Sequence, residues 1–181
     1  MAKLLFISFL LLTIFLSAAS FDPKNSIPRR KAKPAAIIHY YAHAAVGGPS
    51  PNVYEVARAS VTEGSPTQFG QVSVMDSKLT VGPDKDSPEL GRVQGMLVWP
   101  DMQETALMSI VSVVFTAGLY NGSTLSAFGR NPVRITTGRE VPIVGGSGFF
   151  QMAKGYVIEN LYLFDPVENY FVMNNTAYVF F

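Results

Sequence analysis

From residue 34 onward, apolar and polar residues trade places in short runs, each closed by Gly, Pro, Asn or Asp. The 3.6-residue period of an amphipathic helix is hard to find there, so the pattern is that of strands. Phe69-Gly70-Gln71-Val72-Ser73-Val74-Met75-Asp76 alternates well, and Met108 to Phe115 is β-branched enough for a strand buried on both faces. Tyr156 to Phe164 and Phe171 to Phe181 are strand-like, with a turn at Asp165-Pro166-Val167-Glu168-Asn169 between them. Eight or nine strands are predicted, near 36–44, 53–61, 69–79, 92–99, 105–117, 122–129, 139–144, 149–163 and 171–180. That spacing suggests an antiparallel barrel or sandwich. The chain has no cysteine, so no disulfide protects the sheet edges, and closure into a barrel removes them. The fold expected is all-β: a single eight-stranded antiparallel β-barrel with a central cavity, its function on inward-facing side chains at every second position.

The stretch Gly145-Gly146-Ser147-Gly148 resembles a phosphate cradle but lacks the context of one. A phosphate loop opens a helix and carries a Lys-Ser or Lys-Thr pair. Here Phe149 to Lys154 is followed at once by Gly155, so the cluster reads as the turn of a β-hairpin, with glycine supplying a positive φ.

Composition changes the picture at the N-terminus. Lys3, the apolar run Leu4 to Leu16 and the small residues Ser17-Ala18-Ala19 have the form of a secretory signal peptide over residues 1–20. The run is short for a bilayer span, so a secreted, soluble protein without a membrane anchor is expected. Residues 21–35 form a basic arm, with Lys24, Arg29, Arg30, Lys31 and Lys33 against Asp22, and residues 36–181 are the barrel domain. Beyond the arm, acidic residues outnumber basic ones, which gives no support to nucleic-acid binding. Asn121-Gly122-Ser123 and Asn174-Asn175-Thr176 are N-glycosylation sequons, making Asn121 and Asn174 candidate sugar carriers.

Catalytic signatures are sparse. His39 and His43 stand four apart on a strand, about 13 Å from each other, whereas zinc–nitrogen bonds are about 2 Å; no metal site is expected. No Gly-x-Ser-x-Gly elbow is present. Asp76, Asp101, Glu140 and Asp165 could form carboxylate pairs, with separations the sequence does not give. The natural expectation is an aromatic-rich pocket with one or two polar groups and no cofactor.

Several motifs then fall in a recognisable order: Phe69-Gly70-x-Val72-x-Val74-Met75-Asp76-x-x-Leu79-Thr80-x-Gly82-Pro83, Gly91-Arg92-Val93-Gln94-Gly95, Tyr120-Asn121-Gly122-Ser123-Thr124-Leu125, Gly129-Arg130-Asn131-Pro132-Val133, Arg139-Glu140-Val141-Pro142-Ile143-Val144-Gly145-Gly146-Ser147-Gly148 and Ala153-Lys154-Gly155-Tyr156. The set resembles the plant dirigent family over roughly residues 36–181. The resemblance implies an eight-stranded barrel, usually a homotrimer, secreted to the apoplast or cell wall. It also implies a small phenolic substrate. Dirigent proteins do not oxidise it; an external laccase or peroxidase makes phenoxy radicals, and the barrel directs their coupling. A related branch, the pterocarpan synthases, dehydrates an isoflavan-4-ol and closes a ring. Both routes pass through a quinone methide.

The resemblance also carries residues. Lignan-forming members have a pocket aspartate after the histidine of the first strand, where this chain has Ala44 after His43, and a second where this chain has Asn131. The pocket arginine is kept as Arg139. The wording around Asn121 and Asn131 is similar to the broader subgroup that includes the pterocarpan synthases. Arg139 and Asn131 are thus the candidate catalytic residues, with Tyr40, Leu97, Trp99 and Asp76 as candidate substrate contacts. Arg139 could instead form a structural ion pair with a carboxylate such as Asp76. If position 44 faces inward, so do Tyr40 and Ala42, while Tyr41 and His43 point outward, His43 as an outer-face or subunit-contact residue.

Overall fold

The computed structural model describes residues 33–181. The signal-peptide segment and most of the basic arm lie outside the described residues. Nine strands follow one another: β1 (Ala36–Ala45), β2 (Val53–Ala57), β3 (Val72–Thr80), β4 (Glu89–Val98), β5 (Ala106–Phe115), β6 (Thr124–Pro132), β7 (Arg139–Ser147), β8 (Lys154–Asp165) and β9 (Tyr170–Phe180). From β2 to β9 each strand pairs antiparallel with its successor, and β1 closes the ring by pairing with β9 on one side and β3 on the other. The result is a closed eight-stranded barrel with β2 as an extra strand. β2 lies along Val72–Met75 of β3, and β1 along Lys78–Thr80 of the same strand. Asn52 stitches this hand-over. Its Nδ2 donates to the His43 carbonyl at 2.9 Å, and its Oδ1 accepts from Ala45 N at 3.0 Å and from Ser77 Oγ at 2.9 Å.

Two elements differ from the sequence pattern. The second predicted strand stops at Ala57, and residues 58–71 run as turns tied back on themselves. The glycine cluster is not a simple hairpin loop. Gly145 and Gly146 belong to β7, beside a register shift against β6, and only Gly148, at φ +60°, opens the 3₁₀ turn Gly148–Phe150. Gly146 does not have a left-handed φ. Glycine is required there because a Cβ would lie 2.3 Å from the Thr124 carbonyl oxygen and 2.8 Å from Phe150 Cβ.

That close approach seats Phe150, which is fully buried and plugs one end of the barrel. Its ring packs against Tyr120 and Phe115, with centroids 4.8 and 5.6 Å away. Leu79, Leu125, Ile143 and Val179 complete the apolar fill behind the plug. Burying such aromatic area supplies stabilisation that the chain cannot draw from disulfides.

The outer wall is apolar along one row. Tyr54, Val74, Met96, Ile110 and Phe128 face one another in register across β2 to β6, and each is exposed.

Candidate functional site

Above the plug the barrel encloses a cavity of about 480 Å³, a size typical of small-ligand pockets. It reaches the end of the barrel where Val46, Trp99, Ile135 and Phe171 lie. One side of the wall is mostly apolar, with Leu97, Leu107, Val111 and Val113 contributed by β4 and β5, broken by Ser73 and Ser109. The other side carries a polar row. Tyr40 on β1 pairs with Asn175 on β9, Asn175 with Glu159 on β8, and Glu159 with Arg139 on β7. Paired residues of an antiparallel ladder point to the same face, so register alone sets these four side chains side by side at one level of the barrel. Asn131 on β6 extends the row beyond Arg139.

The row is held by a few directed contacts. Glu159 Oε2 accepts a hydrogen bond from Asn131 Nδ2 at 2.7 Å and lies 3.5 Å from Arg139 Nη2. Asn131 Nδ2 also reaches Ser109 Oγ at 3.5 Å, and Arg139 Nη2 lies 3.6 Å from Met173 Sδ. Asn175 Nδ2 donates to the Met173 carbonyl at 3.1 Å.

Burial dominates the electrostatics. It pushes the Glu159 carboxyl above the usual carboxylate range, with Arg139 and the Asn131 hydrogen bond pulling the other way. The Glu159 side chain keeps 22 % of its surface open, and Glu159 lines the cavity inside the barrel rather than the outer wall. Burial lowers the Arg139 pKa and Glu159 partly restores it; a guanidinium remains a cation throughout the ordinary pH range. The Tyr40 phenol is driven far up, first by burial and then by the Glu159 charge, which keeps it protonated. Three ionisable groups thus share one level of the wall: a neutral phenol, a carboxyl inclined to hold its proton, and a permanent cation.

The residues read from the sequence divide into two sets. Tyr40, Leu97, Trp99, Asn131 and Arg139 all line the cavity, and so does Ala44. Asp76 does not. It sits on the outer wall, 53 % exposed, where Arg92 Nε donates to it at 2.5 Å and Gln94 Nε2 at 3.2 Å. The inward residues of β3 are the odd-numbered ones, with Ser73 and Met75 lining the cavity. The carboxylate partner of Arg139 is therefore Glu159, not Asp76. His43 faces outward as its parity requires, yet its own chain buries it. Its Nδ1 shares a hydrogen bond with the Tyr170 hydroxyl at 2.5 Å, and its Nε2 shares one with Thr80 Oγ1 at 2.7 Å. His39 shares a hydrogen bond with Thr176 Oγ1.

Of the sequons, Asn121 is exposed in the turn before β6, while Asn174 lies within β9, half-buried, opposite Tyr41 and Asn160.

Glu159 and Asn175 were not among the residues read from the sequence. A signal for Glu159 exists: it is a lone acid between Val157 and Leu161, at the same parity of a strand, and both neighbours line the cavity.

Comparison with known proteins places this geometry. The profile of dirigent-like proteins matches residues 36–180. The chain is 36% identical over 177 residues to Dirigent protein 21 of Arabidopsis thaliana, across 97% of this chain and 93% of that protein. It is 36% identical over 143 residues to Pterocarpan synthase 1 of Glycyrrhiza echinata, across 79% and 76% respectively. The solved structure of a pterocarpan synthase dirigent protein superposes with a TM-score of 0.74 at 35% identity, over 80% of this chain and 88% of that one.

Proposed function

Since the chain belongs to the dirigent family, we propose that its cavity binds a phenolic radical or quinone-methide intermediate and imposes stereoselectivity on its coupling or ring closure, without oxidising it. The observation that carries this reading is the polar row, Tyr40, Asn175, Glu159 and Arg139, facing a wall that is mostly apolar. Aromatic bodies are held by area and stacking on that wall. Fixing two reacting centres in one orientation is the largest part of such a task. The oxygen of a quinone methide gathers negative charge as the nucleophile adds. Arg139 offers a fixed cation for that oxygen, and Asn131 holds the Glu159 carboxyl beside it. In radical coupling an external laccase or peroxidase supplies the oxidation.

A second reading is favoured by Glu159 itself. A carboxyl that holds its proton can protonate a departing hydroxyl. In an isoflavan-4-ol the C–O bond to that hydroxyl breaks, water leaves, a phenol oxygen forms the new C–O bond, and its proton returns to the carboxylate. The similarity to pterocarpan synthases supports the same chemistry.

The signal-like N-terminus supports secretion to the apoplast. Among the described residues no helix is long and apolar enough to cross a membrane. The exposed row from Tyr54 to Phe128 supports burial of the outer wall in a homotrimer.

Two incubations separated by chiral chromatography test the reading: coniferyl alcohol with laccase, and an isoflavan-4-ol alone. Enantiomeric excess in the first supports radical steering, and rapid loss of the isoflavanol in the second supports dehydration. Racemic product and an untouched isoflavanol together would count against both.

A further inference from the structure

We infer that His43 is an acid-sensitive clasp on the seam that closes the barrel: its neutral ring holds β1 to β3, and a second proton on that ring loosens the hold. The seam is short. β1 runs beside β9 over ten register pairs but meets β3 over three, Tyr41 with Thr80, Ala42 with Leu79 and His43 with Lys78. Two side chains reinforce it. One is Asn52, which ties the β1 backbone to Ser77 of β3. The other is His43, 3 % exposed, whose ring bridges Tyr170 of β9 and Thr80 of β3. The inner face of the same stretch is cavity wall, lined by Tyr40, Ala42 and Ala44. Whatever loosens the seam at His43 therefore acts on the cavity as well.

The direction of each hydrogen bond in the clasp follows from its last member. Thr80 Oγ1 donates its single proton to the Gly82 carbonyl at 2.6 Å. Toward His43 it can then only accept, so Nε2 carries the ring proton. In the neutral ring Nδ1 is bare, and it takes the proton of the Tyr170 hydroxyl. Donors thus point one way, from Tyr170 through His43 and Thr80 to Gly82. A further proton can enter only at Nδ1, where it meets the Tyr170 O–H head-on and forces that hydroxyl to turn its proton elsewhere. The charged ring would also stand beside Lys78, its register partner on the same outer face, which in turn faces Arg92 of β4. Glu89 and Asp76 already serve those two cations. Asp84, in the turn after β3, favours the His43 charge, but burial and then Lys78 outweigh it and hold the His43 pKa below its ordinary value of 6.5. The unfolded chain therefore binds this proton more tightly than the folded one. The stability His43 provides is full above pH 6.5 and declines as pH falls from there toward the folded value.

Two measurements on the barrel protein test the clasp. Long-range proton–nitrogen NMR of the wild-type imidazoles, each assigned through bonds to its backbone, should show His43 protonated at Nε2 and bare at Nδ1 near neutral pH. Through the His43 titration, amide exchange at residues 41–43 and 78–80, corrected for the chemical rate, should quicken more than in the long β1–β9 ladder. A His43 ring carrying its proton on Nδ1 overturns the inference, and so does seam exchange that stays unchanged while His43 titrates. Neither result needs a variant to fold. Urea denaturation then compares the wild-type protein with His43→Gln, whose amide can donate to Thr80 and accept from Tyr170 without titrating. Relative to that variant, the wild-type unfolding constant should rise by up to about tenfold for each pH unit below 6.5. Parallel pH profiles of the two folded proteins would also overturn it. Tyr170→Phe, which removes the donor to Nδ1, should raise the titration point of His43, and an unmoved titration point counts against the donor order.

Discussion

Replacing Arg139 by Leu separates the two things this residue can do. Its Nη2 lies 3.5 Å from Glu159 Oε2, which corresponds to a gross attraction of about 5 kcal/mol at an effective dielectric of 20. Little of that survives as net stability, because burial disfavours both charges. Removing one partner of a buried pair usually costs about 3–5 kcal/mol, since a charge is stranded. Glu159 has an escape, because burial already favours its neutral form and it can take up a proton when the cation goes. Arg139→Leu should therefore lose about 1–3 kcal/mol at pH 7, and less at pH 5. Glu159→Gln strands the guanidinium instead, which has no such escape. The double variant, with neither charge, should be no less stable than the worse single one, giving a coupling outside the roughly 0.3–0.5 kcal/mol of independent sites. Urea denaturation of all four proteins at both pH values measures this. Product selectivity or turnover should drop about 10²-fold in Arg139→Leu if the guanidinium acts as a single oxyanion donor. Additive stabilities, together with full selectivity in a folded Arg139→Leu protein, would refute both roles.

The remaining predictions concern pH and the plug. The folded pKa of Glu159 lies above its ordinary value of 4.5, so the folded state holds this proton more tightly than the unfolded state does. Its contribution to stability is greatest below that value and falls as pH rises until Glu159 ionises in the folded protein. The melting temperature of the wild-type protein should therefore decline relative to Glu159→Gln as pH rises above 4.5; parallel profiles would show that the carboxyl is not perturbed. Gly146→Ala should cost about 1–3 kcal/mol through overpacking against the Thr124 carbonyl and Phe150. Gly145→Ala, whose added Cβ meets nothing within 4 Å, should be near neutral in the same thermal melts, and equal losses at both positions would point away from close approach.

The fold was legible because period-2 alternation survives in nearly every strand, and turn residues punctuate it. Tyr40, Leu97, Trp99 and Arg139 were placed in the cavity by parity and by motif. Asp76 was not, for a physical reason. In β3 the usual rule is inverted: Val72 and Val74 face outward, while Ser73 and Ser77 point in with Met75 and Leu79. A barrel that holds a ligand and also shows an apolar outer wall has no single polar face, so alternation gives the period but not its phase. Glu159 and Asn175 escaped because their importance comes from register. Arg139, Glu159, Asn175 and Tyr40 lie up to 135 positions apart in sequence and meet only when four strands are aligned. The bulge between β6 and β7, beside which Gly145 and Gly146 fall within the strand, is likewise a property of pairing rather than of either segment alone.

The closure of β1 on β9 has a consequence for anything joined to the chain. Ala35 N donates to the Val179 carbonyl, and Ala36 pairs with the same residue, so the barrel domain begins where it ends. Both points sit at the plugged end, where Phe181 packs on Phe149, while Ala44 and Phe171 mark the opposite, open end of the same two strands. A tag, reporter or surface linker joined directly at Ala35 or Phe181 therefore leaves from the base of the cup and keeps clear of its mouth. The nearness of the two ends also suits the barrel to circular permutation: a short bridge from Phe181 to Ala35 would let the chain be reopened in an exposed turn.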